Sequence, residues 1–366
     1  LKCVHRLIKI SSGFPPVYSF RGFDFGYITK HLFQLWSFSV SVSKQLIFLI
    51  LFTCISTAVS AQDQGSSVYR FLTISPDARI AGLGGSHAAV INPNSSQFII
   101  NPAFLNKSET DRIHFSYLNH LGDIRFGTAN YVRTLPGLGN VAASLRYLSY
   151  GDLSRIDEFG NDLGSASAND LALTLGFGAS LTNQLSYGVS VSGIYSSLVG
   201  YRSSAVSFSG GMLYNFPGRE TSVGAYLSNA GAQITTYNGL SEPLPLNLAL
   251  GIVHRLQYIP VRLHLTLKKM NEWPLEFIDE EDKPSFFDAL PRHMVGGAEF
   301  LFGERVTARI GYDSWLNSQT QTGKRVDGAG LSFGIAIHLN AMDIDFSRTS
   351  FSDMGSVVQL GIGLKI

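Results

Sequence analysis

The chain has 366 residues, 45% of them hydrophobic and only 15% charged, with 37 glycines, 25 phenylalanines and 15 tyrosines. The formal net charge is +1, so no basic or acidic excess points to nucleic acid or to a highly charged partner. Low charge with abundant glycine and aromatics fits a membrane barrel better than an average soluble domain.

Residues 1–43 begin with Leu1, and the first methionine of the chain is Met212. We read them as a non-native upstream extension, with translation starting near Val42 from a non-standard start codon. Residues 44–61 read as a secretory signal peptide. Lys44 precedes a short apolar core over 46–55, and small residues follow at Thr57, Ala58, Val59, Ser60 and Ala61. That core is too short to cross a bilayer as a helix. Cleavage is expected after Ala61. Leu51-Phe52-Thr53 makes a poor lipidation signal for Cys54. Cys3 and Cys54, the two cysteines, would both be lost on maturation, leaving no disulfide and no thiolate metal site.

Residues 62–110 read as a plug-like segment, and 75–105 is the least strand-like part of the mature chain. Ser75, Pro76, Ala78, Arg79 and the run Ala81-Gly82-Leu83-Gly84-Gly85 precede Asn101-Pro102-Ala103-Phe104-Leu105. Small residues allow close backbone approach, and glycine reaches positive φ. The segment is expected to pack inside or across a barrel. As a phosphate loop, Gly82–Gly85 lacks the third glycine and the following βαβ pattern.

Residues 111–366 are dominated by about fourteen alternating runs, starting at 112–120, 123–134, 140–150, 170–179 and 184–198. They continue through 203–216, 221–232, 244–256, 260–270, 292–302, 305–314, 328–340 and 341–351 to 356–366. Each run is long enough for the ~9–11 residues of a tilted membrane strand. In the last run Val358, Leu360, Ile362, Leu364 and Ile366 share one face, with Gln359, Gly361, Gly363 and Lys365 on the other. A strand that ends the chain leaves an open edge, and closing the sheet removes it. Across 260–270, Val261, Leu263, Leu265 and Leu267 oppose Arg262, His264, Thr266 and Lys268. Recurrence of a charged face on strand after strand is explained by a lipid-facing outside and a polar lumen.

With the C-terminus placed in the periplasm, the connections 134–139, 181–183, 217–220, 257–258, 303–304 and 340–341 fall on the periplasmic side and are short. The long ones, 151–169, 233–243, 272–291 and 315–327, fall outside, as in outer-membrane barrels. The fold expected is therefore all-β: a transmembrane antiparallel β-barrel of about 14 strands, with the N-terminal segment in or across its lumen.

No histidine pair has metal-ligand spacing among acids, and there is no Gly-x-Ser-x-Gly elbow. Ser41-Val42-Ser43-Lys44 matches Ser-x-x-Lys but lies at the signal peptide. No catalytic residue, cofactor or metal is expected. Arg146, Arg262, Lys268, Glu299, Arg309, Asp343 and Asp345 are assigned to the lumen. They either make a selective pore or pair with one another across the interior, and mutual pairing is the preferred reading. The loop 272–291 sets Glu272, Glu276, Asp279, Glu280, Glu281 and Asp282 beside Trp273, Phe277, Phe286 and Phe287. An acidic run alone is a solvated face, but rings beside it favour an interface. The candidate partner-binding residues are Glu272, Trp273, Phe277, Glu280, Glu281, Phe286 and Phe287.

Phe71-Leu72, Ser75-Pro76-Asp77-Ala78-Arg79, Leu83-Gly84-Gly85 and Asn101-Pro102-Ala103 resemble the N-terminal signature of the PorV/PorQ family of FadL-like outer-membrane barrels. Tyr147, Tyr150-Gly151-Asp152, Asp157-Glu158-Phe159-Gly160-Asn161, Glu242-Pro243-Leu244-Pro245, Asn271-Glu272-Trp273 and Arg292-His293 are similar to its PorQ-like branch. The resemblance covers about Val68 to the end, and Ile366 departs from the aromatic that usually ends such barrels. It implies a fourteen-stranded, non-catalytic barrel of the type IX secretion system of Bacteroidetes. The implied role is to hold a PorZ-like surface protein beside PorU- and PorV-like proteins in the attachment complex. That complex processes cargo and attaches it to anionic lipopolysaccharide. A FadL-like channel for hydrophobic solutes and a PorV-like substrate-shuttling barrel are the alternatives.

Overall fold

The computed structural model describes residues 67–106, 110–159, 161–273, 285–322 and 327–366. The signal peptide, its cleavage point and the upstream extension lie outside these residues. Fourteen antiparallel strands close into one barrel, each paired with its neighbours in sequence and β1 paired with β14. They are β1 (Arg112–Asn119), β2 (Arg125–Leu135), β3 (Gly139–Ile156), β4 (Asp162–Ser180), β5 (Leu185–Leu198), β6 (Tyr201–Asn215) and β7 (Thr221–Thr235). The second half holds β8 (Asn247–Arg255), β9 (Val261–Leu267), β10 (Met294–Phe302), β11 (Val306–Asp313), β12 (Leu331–His338), β13 (Met342–Ser350) and β14 (Ser356–Lys365). No helix of the described residues is long and apolar enough to cross a membrane.

The terminal strand does what its alternation requires. Phe115 pairs with Ile362 and Tyr117 with Leu360, so β14 has no open edge. Outward residues are apolar and exposed: Leu360 is 48% accessible and Ile362 41%, whereas the inward Gln359 is 1%. On β5, Tyr187 and Tyr195 bracket outward Val189 and Val191. Eight residues at ~3.3 Å each, tilted by about 40°, span roughly 20 Å, close to the apolar band of an outer-membrane barrel.

The connections sort by end. Six short turns lie at the end that holds Ile366, whose amide bonds the carbonyl of Asp111; this is the near end. The far end carries the long connections, together with the short turns after β1, β5 and β13. One expected loop is instead sheet. β3 and β4 continue past a register shift at Ser149/Asp152 and pair up to Ile156↔Asp162. Beyond that shift Leu153 and Ala166 share one face and Asp152 and Ser167 the other, an alternation too short and too broken by the shift to read as strand.

The segment 67–106 threads the lumen from end to end. Val68 N–H bonds Pro243 O at the far end, and Asn106 Nδ2 donates to Ser180 and Ser186 Oγ at the near end. Asp77 organises it. Its carboxylate accepts from Ile80 N (2.8 Å), capping the short helix α1 (Ala78–Ala81), and from Asn94 Nδ2 (2.7 Å) and Gln97 Nε2 (3.1 Å). Gly84 and Gly85 turn the chain at φ of +103° and +101°, a region that costs L-residues but not glycine.

The barrel wall meets this plug with glycine. A Cβ at Gly188 would collide with the backbone of Pro102, one at Gly211 with Asn101, and one at Gly224 with Ala88. One at Gly311 would strike Leu83 and Gly84, and one at Gly178 would lie 2.6 Å from Leu105 Cβ. These inward positions form a belt from β4 to β11. The high glycine count is thus partly the imprint of a backbone packed directly on the wall.

Candidate partner-binding surface and lumen network

Four of the seven charges assigned to the lumen join in one network around a single carboxylate. Glu299, on the inner face of β10, is 1% accessible. Plug residue Arg79 grips it with two hydrogen bonds, Nε–Oε1 at 2.9 Å and Nη2–Oε2 at 3.0 Å. Arg309 of β11 adds Nε–Oε1 at 3.1 Å, and β9 contributes Arg262 at 3.5 Å and His264 at 3.3 Å. Arg309 also bonds Asp345 of β13. Arg79 donates further to the carbonyls of Asn92 (2.6 Å) and Ile91 (3.0 Å). One buried anion therefore ties three neighbouring strands to two turns of the plug. Bidentate arginine–carboxylate geometry is the strong form of this bond.

The remaining lumen residues stand apart. Asp343 pairs with Arg112 and accepts from His338 Nδ1 at 2.9 Å. Lys268 pairs with Asp313, which also caps the helix α2 (Ser314–Thr320) through Trp315 N (3.0 Å) and Leu316 N (3.1 Å). Arg146 is 2% accessible and reaches Leu72 O (3.4 Å) and Thr174 Oγ1 (3.3 Å), with no carboxylate partner among the described residues. Arg79, Arg112, His264 and Asp313 belong with these groups but are not among the lumen charges assigned from the sequence, although the alternation over 260–270 puts His264 on the lumen face. His264 and Asp313 carry a usable signal, because both sit at inward parity beside residues that were so assigned. Arg79 carries none, being 220 residues from its partner.

The plug leaves a cavity of about 350 Å³ at the far end, lined by Arg70, Tyr226, Asn229, Lys268, Asp313 and Trp315 among others. Beside it stands an aromatic ladder. His293 is fully buried, and its Nδ1 donates to Lys268 O at 2.8 Å. Trp273 stacks on it at 4.0 Å between centroids and 10° between planes. Phe286 follows 5.0 Å from Trp273, and Phe287 5.6 Å from Phe286. Exposure rises along the ladder to 59% at Phe286 and 80% at Phe287. Both phenylalanines start the one-turn helix Phe286–Ala289, capped by Ser285. Glu272 pairs with Lys269 at 2.7 Å, and Lys269 Nζ lies 5.4 Å over the Trp315 ring. Burial holds the His293 imidazole below the ordinary histidine range, with Lys269 acting in the same direction. Of the candidate loop residues, Phe277, Glu280 and Glu281 lie outside the described residues. Among the described residues no group of three His, Cys, Asp or Glu side chains is placed to hold a metal ion.

The family model described as "Type IX secretion system protein PorV" matches residues 59–260, more than half of the chain. No curated protein matches. Among solved structures, a deltaS2S3 mutant of the TodX monoaromatic hydrocarbon channel superposes with a TM-score of 0.51 at 16% identity. The match covers 80% of this chain and 99% of that one. The Pseudomonas putida toluene transporter TodX gives 0.49 at 16% identity, over 79% and 97% of the two chains. A Pseudomonas aeruginosa FadL homologue gives 0.48 at 11%, over 80% and 98%. At 16% identity, the first of these likenesses is one of fold.

Proposed function

The chain belongs to the PorV family of type IX secretion system proteins, and from that premise we propose that it is a non-catalytic anchor holding a surface protein of the secretion machinery on its far end. It is an outer-membrane barrel of that system. The finer reading is that the near end faces the periplasm, since short turns lie there in outer-membrane barrels. The partner is then a PorZ-like surface protein, with PorU- and PorV-like proteins beside it in an attachment complex. Proteolytic processing and lipopolysaccharide attachment of cargo belong to those partners.

The observation that carries this reading is the ladder from His293 to Phe287. Two phenylalanines more than half exposed, backed by a stacked Trp–His pair, form a rigid aromatic surface, and exposed aromatics of this kind are enriched at interfaces. The lumen supports the same reading. A channel for hydrophobic solutes, the activity named for the solved channels, needs a passage. Here backbone packs on backbone around the glycine belt, and Arg79–Glu299 closes the centre. A photo-crosslinker at position 287 is expected to trap the surface protein, and one at Leu138, in a near-end turn, is not. Equal trapping from both, or from neither, would refute the assignment.

A further inference from the structure

The outward face of β1–β3 carries an apolar notch with a built head. The register sets Leu360, Tyr117, Gly127 and Tyr147 side by side on four successive strands, β14 to β3. Two residues nearer the near end, Ala129 lies between Phe115 and Leu145. Gly127 and Ala129 thus form the floor of a cavity of about 480 Å³ whose walls are aromatic and leucine side chains. Nothing inside the barrel requires glycine there. A Cβ at Gly127 would meet nothing closer than Ser116 O at 3.8 Å, and its φ is ordinary. The contrast with the inward belt is direct: those glycines are filled by the plug, while this one leaves space on the lipid side.

The mouth of the notch is cationic. The next residue row toward the far end reads Arg348, Val358, Asn119, Arg125 and Ser149 across β13, β14, β1, β2 and β3. It contains two arginines and no acid. Arg125 stands directly above Gly127 and is exposed, and its guanidinium makes no hydrogen bond or ion pair among the described residues. Asp123, two residues before Arg125, has its Cβ against Gly151 of the neighbouring hairpin. Arg348 is steered along the rim by its Nε bond to Ser356 Oγ at 2.8 Å. Three strand spacings of ~4.8 Å put the two backbones roughly 14 Å apart. An unpaired guanidinium over a hydrocarbon slot fits a phosphate above an acyl chain.

We propose that this notch binds a bisphosphorylated, multi-acyl saccharolipid of the outer leaflet, with one acyl chain on Gly127 and Ala129 and phosphates at Arg125 and Arg348. The proposal rests on the outer-membrane orientation given above and not on the aromatic ladder.

The test is native mass spectrometry of the full folded barrel equilibrated in micelles with bisphosphorylated lipid A. Dephosphorylated lipid A and phosphatidylglycerol serve as comparison arms. The wild type is expected to retain lipid A and neither comparison lipid. Arg125→Ala and Gly127→Leu should each lower retention about ten-fold, the scale of one charge-assisted contact. Gly296→Leu fills an outward position on β10 with equal room and no arginine above it, and should change nothing. Heat-modifiable migration on gels confirms that each variant is folded. Retention insensitive to Arg125→Ala, or equal retention of dephosphorylated lipid A, would reduce the notch to a contact with bulk hydrocarbon. Equal retention of phosphatidylglycerol would overturn the saccharolipid, and equal loss in Gly296→Leu would overturn the site. Binding of the surface protein is read separately, so failure here leaves the anchor reading untouched.

Discussion

Replacing Glu299 with glutamine keeps the shape of the lumen network and removes its only shared anion. Arg79, Arg309 and Arg262 would then face one another, with only Asp345, paired to Arg309, and the buried Asp77 near Arg79 left to offset them. Arg262 retains 14% side-chain exposure and can turn toward water, but Arg79 and Arg309, at 9% and 2%, cannot. Stranding a buried partner of a broken ion pair costs about 3–5 kcal/mol, or roughly two to three and a half powers of ten in the folded ratio. Urea unfolding of the barrel in micelles, followed by loss of heat-modifiable migration, measures it. Glu299→Gln should lower the unfolding free energy by about that amount and open the segment 67–106 to protease. Arg79→Met should also destabilise. The double variant should lose less than the sum, with a coupling of about 1–3 kcal/mol, because one of the stranded cations is gone. Strict additivity, or a Glu299→Gln barrel within about 0.5 kcal/mol of wild type, would refute the idea that this carboxylate locks the plug.

Three further outcomes are expected. Gly188→Ala places a methyl group in the backbone of Pro102 and should release the plug or block folding. Gly193→Ala, on the same strand with nothing within 4 Å, should stay within about 0.5 kcal/mol of wild type by urea unfolding. Phe287→Ser should leave that unfolding curve nearly unchanged and weaken capture of the surface protein, because its ring is 80% exposed at the open end of the ladder. The His293 pKa is depressed, so its contribution to stability is full above the unfolded value of about 6.5. That contribution is lost as pH falls through the lower folded value. Trp273 fluorescence should therefore hold steady from neutral pH to about 6.5 and change below it; a midpoint at or above that value would contradict the burial argument.

The barrel was legible because period-two alternation is a local signal, and fourteen runs of it leave no edge only when closed. Even the face of each strand could be read, as with Arg262, His264 and Thr266 against Leu263 and Leu265. The upper parts of β3 and β4 were not legible. The register shifts between Ser149 and Asp152, and beyond it only a few residues, Leu153 and Ala166 against Asp152 and Ser167, mark the two faces. Nor was the lock at the centre, because Arg79 and Glu299 come from a plug and a wall that share no local pattern. The glycine belt lay between these cases. Composition announced the glycines, but only the threading of residues 82–105 across the inward positions explains why Gly188, Gly211 and Gly224 are bare.

The central claim is that a plugged barrel holds a surface protein on its far end. The most direct measurement is a pull-down from outer membranes in mild detergent, with the tag inserted in the near-end turn at Gly218, where nothing lies within 4 Å. A surface protein recovered with the intact barrel, and lost when residues 272–291 are deleted from a barrel that still folds, is the result predicted. A partnerless barrel that carries hydrophobic solutes into liposomes would contradict it.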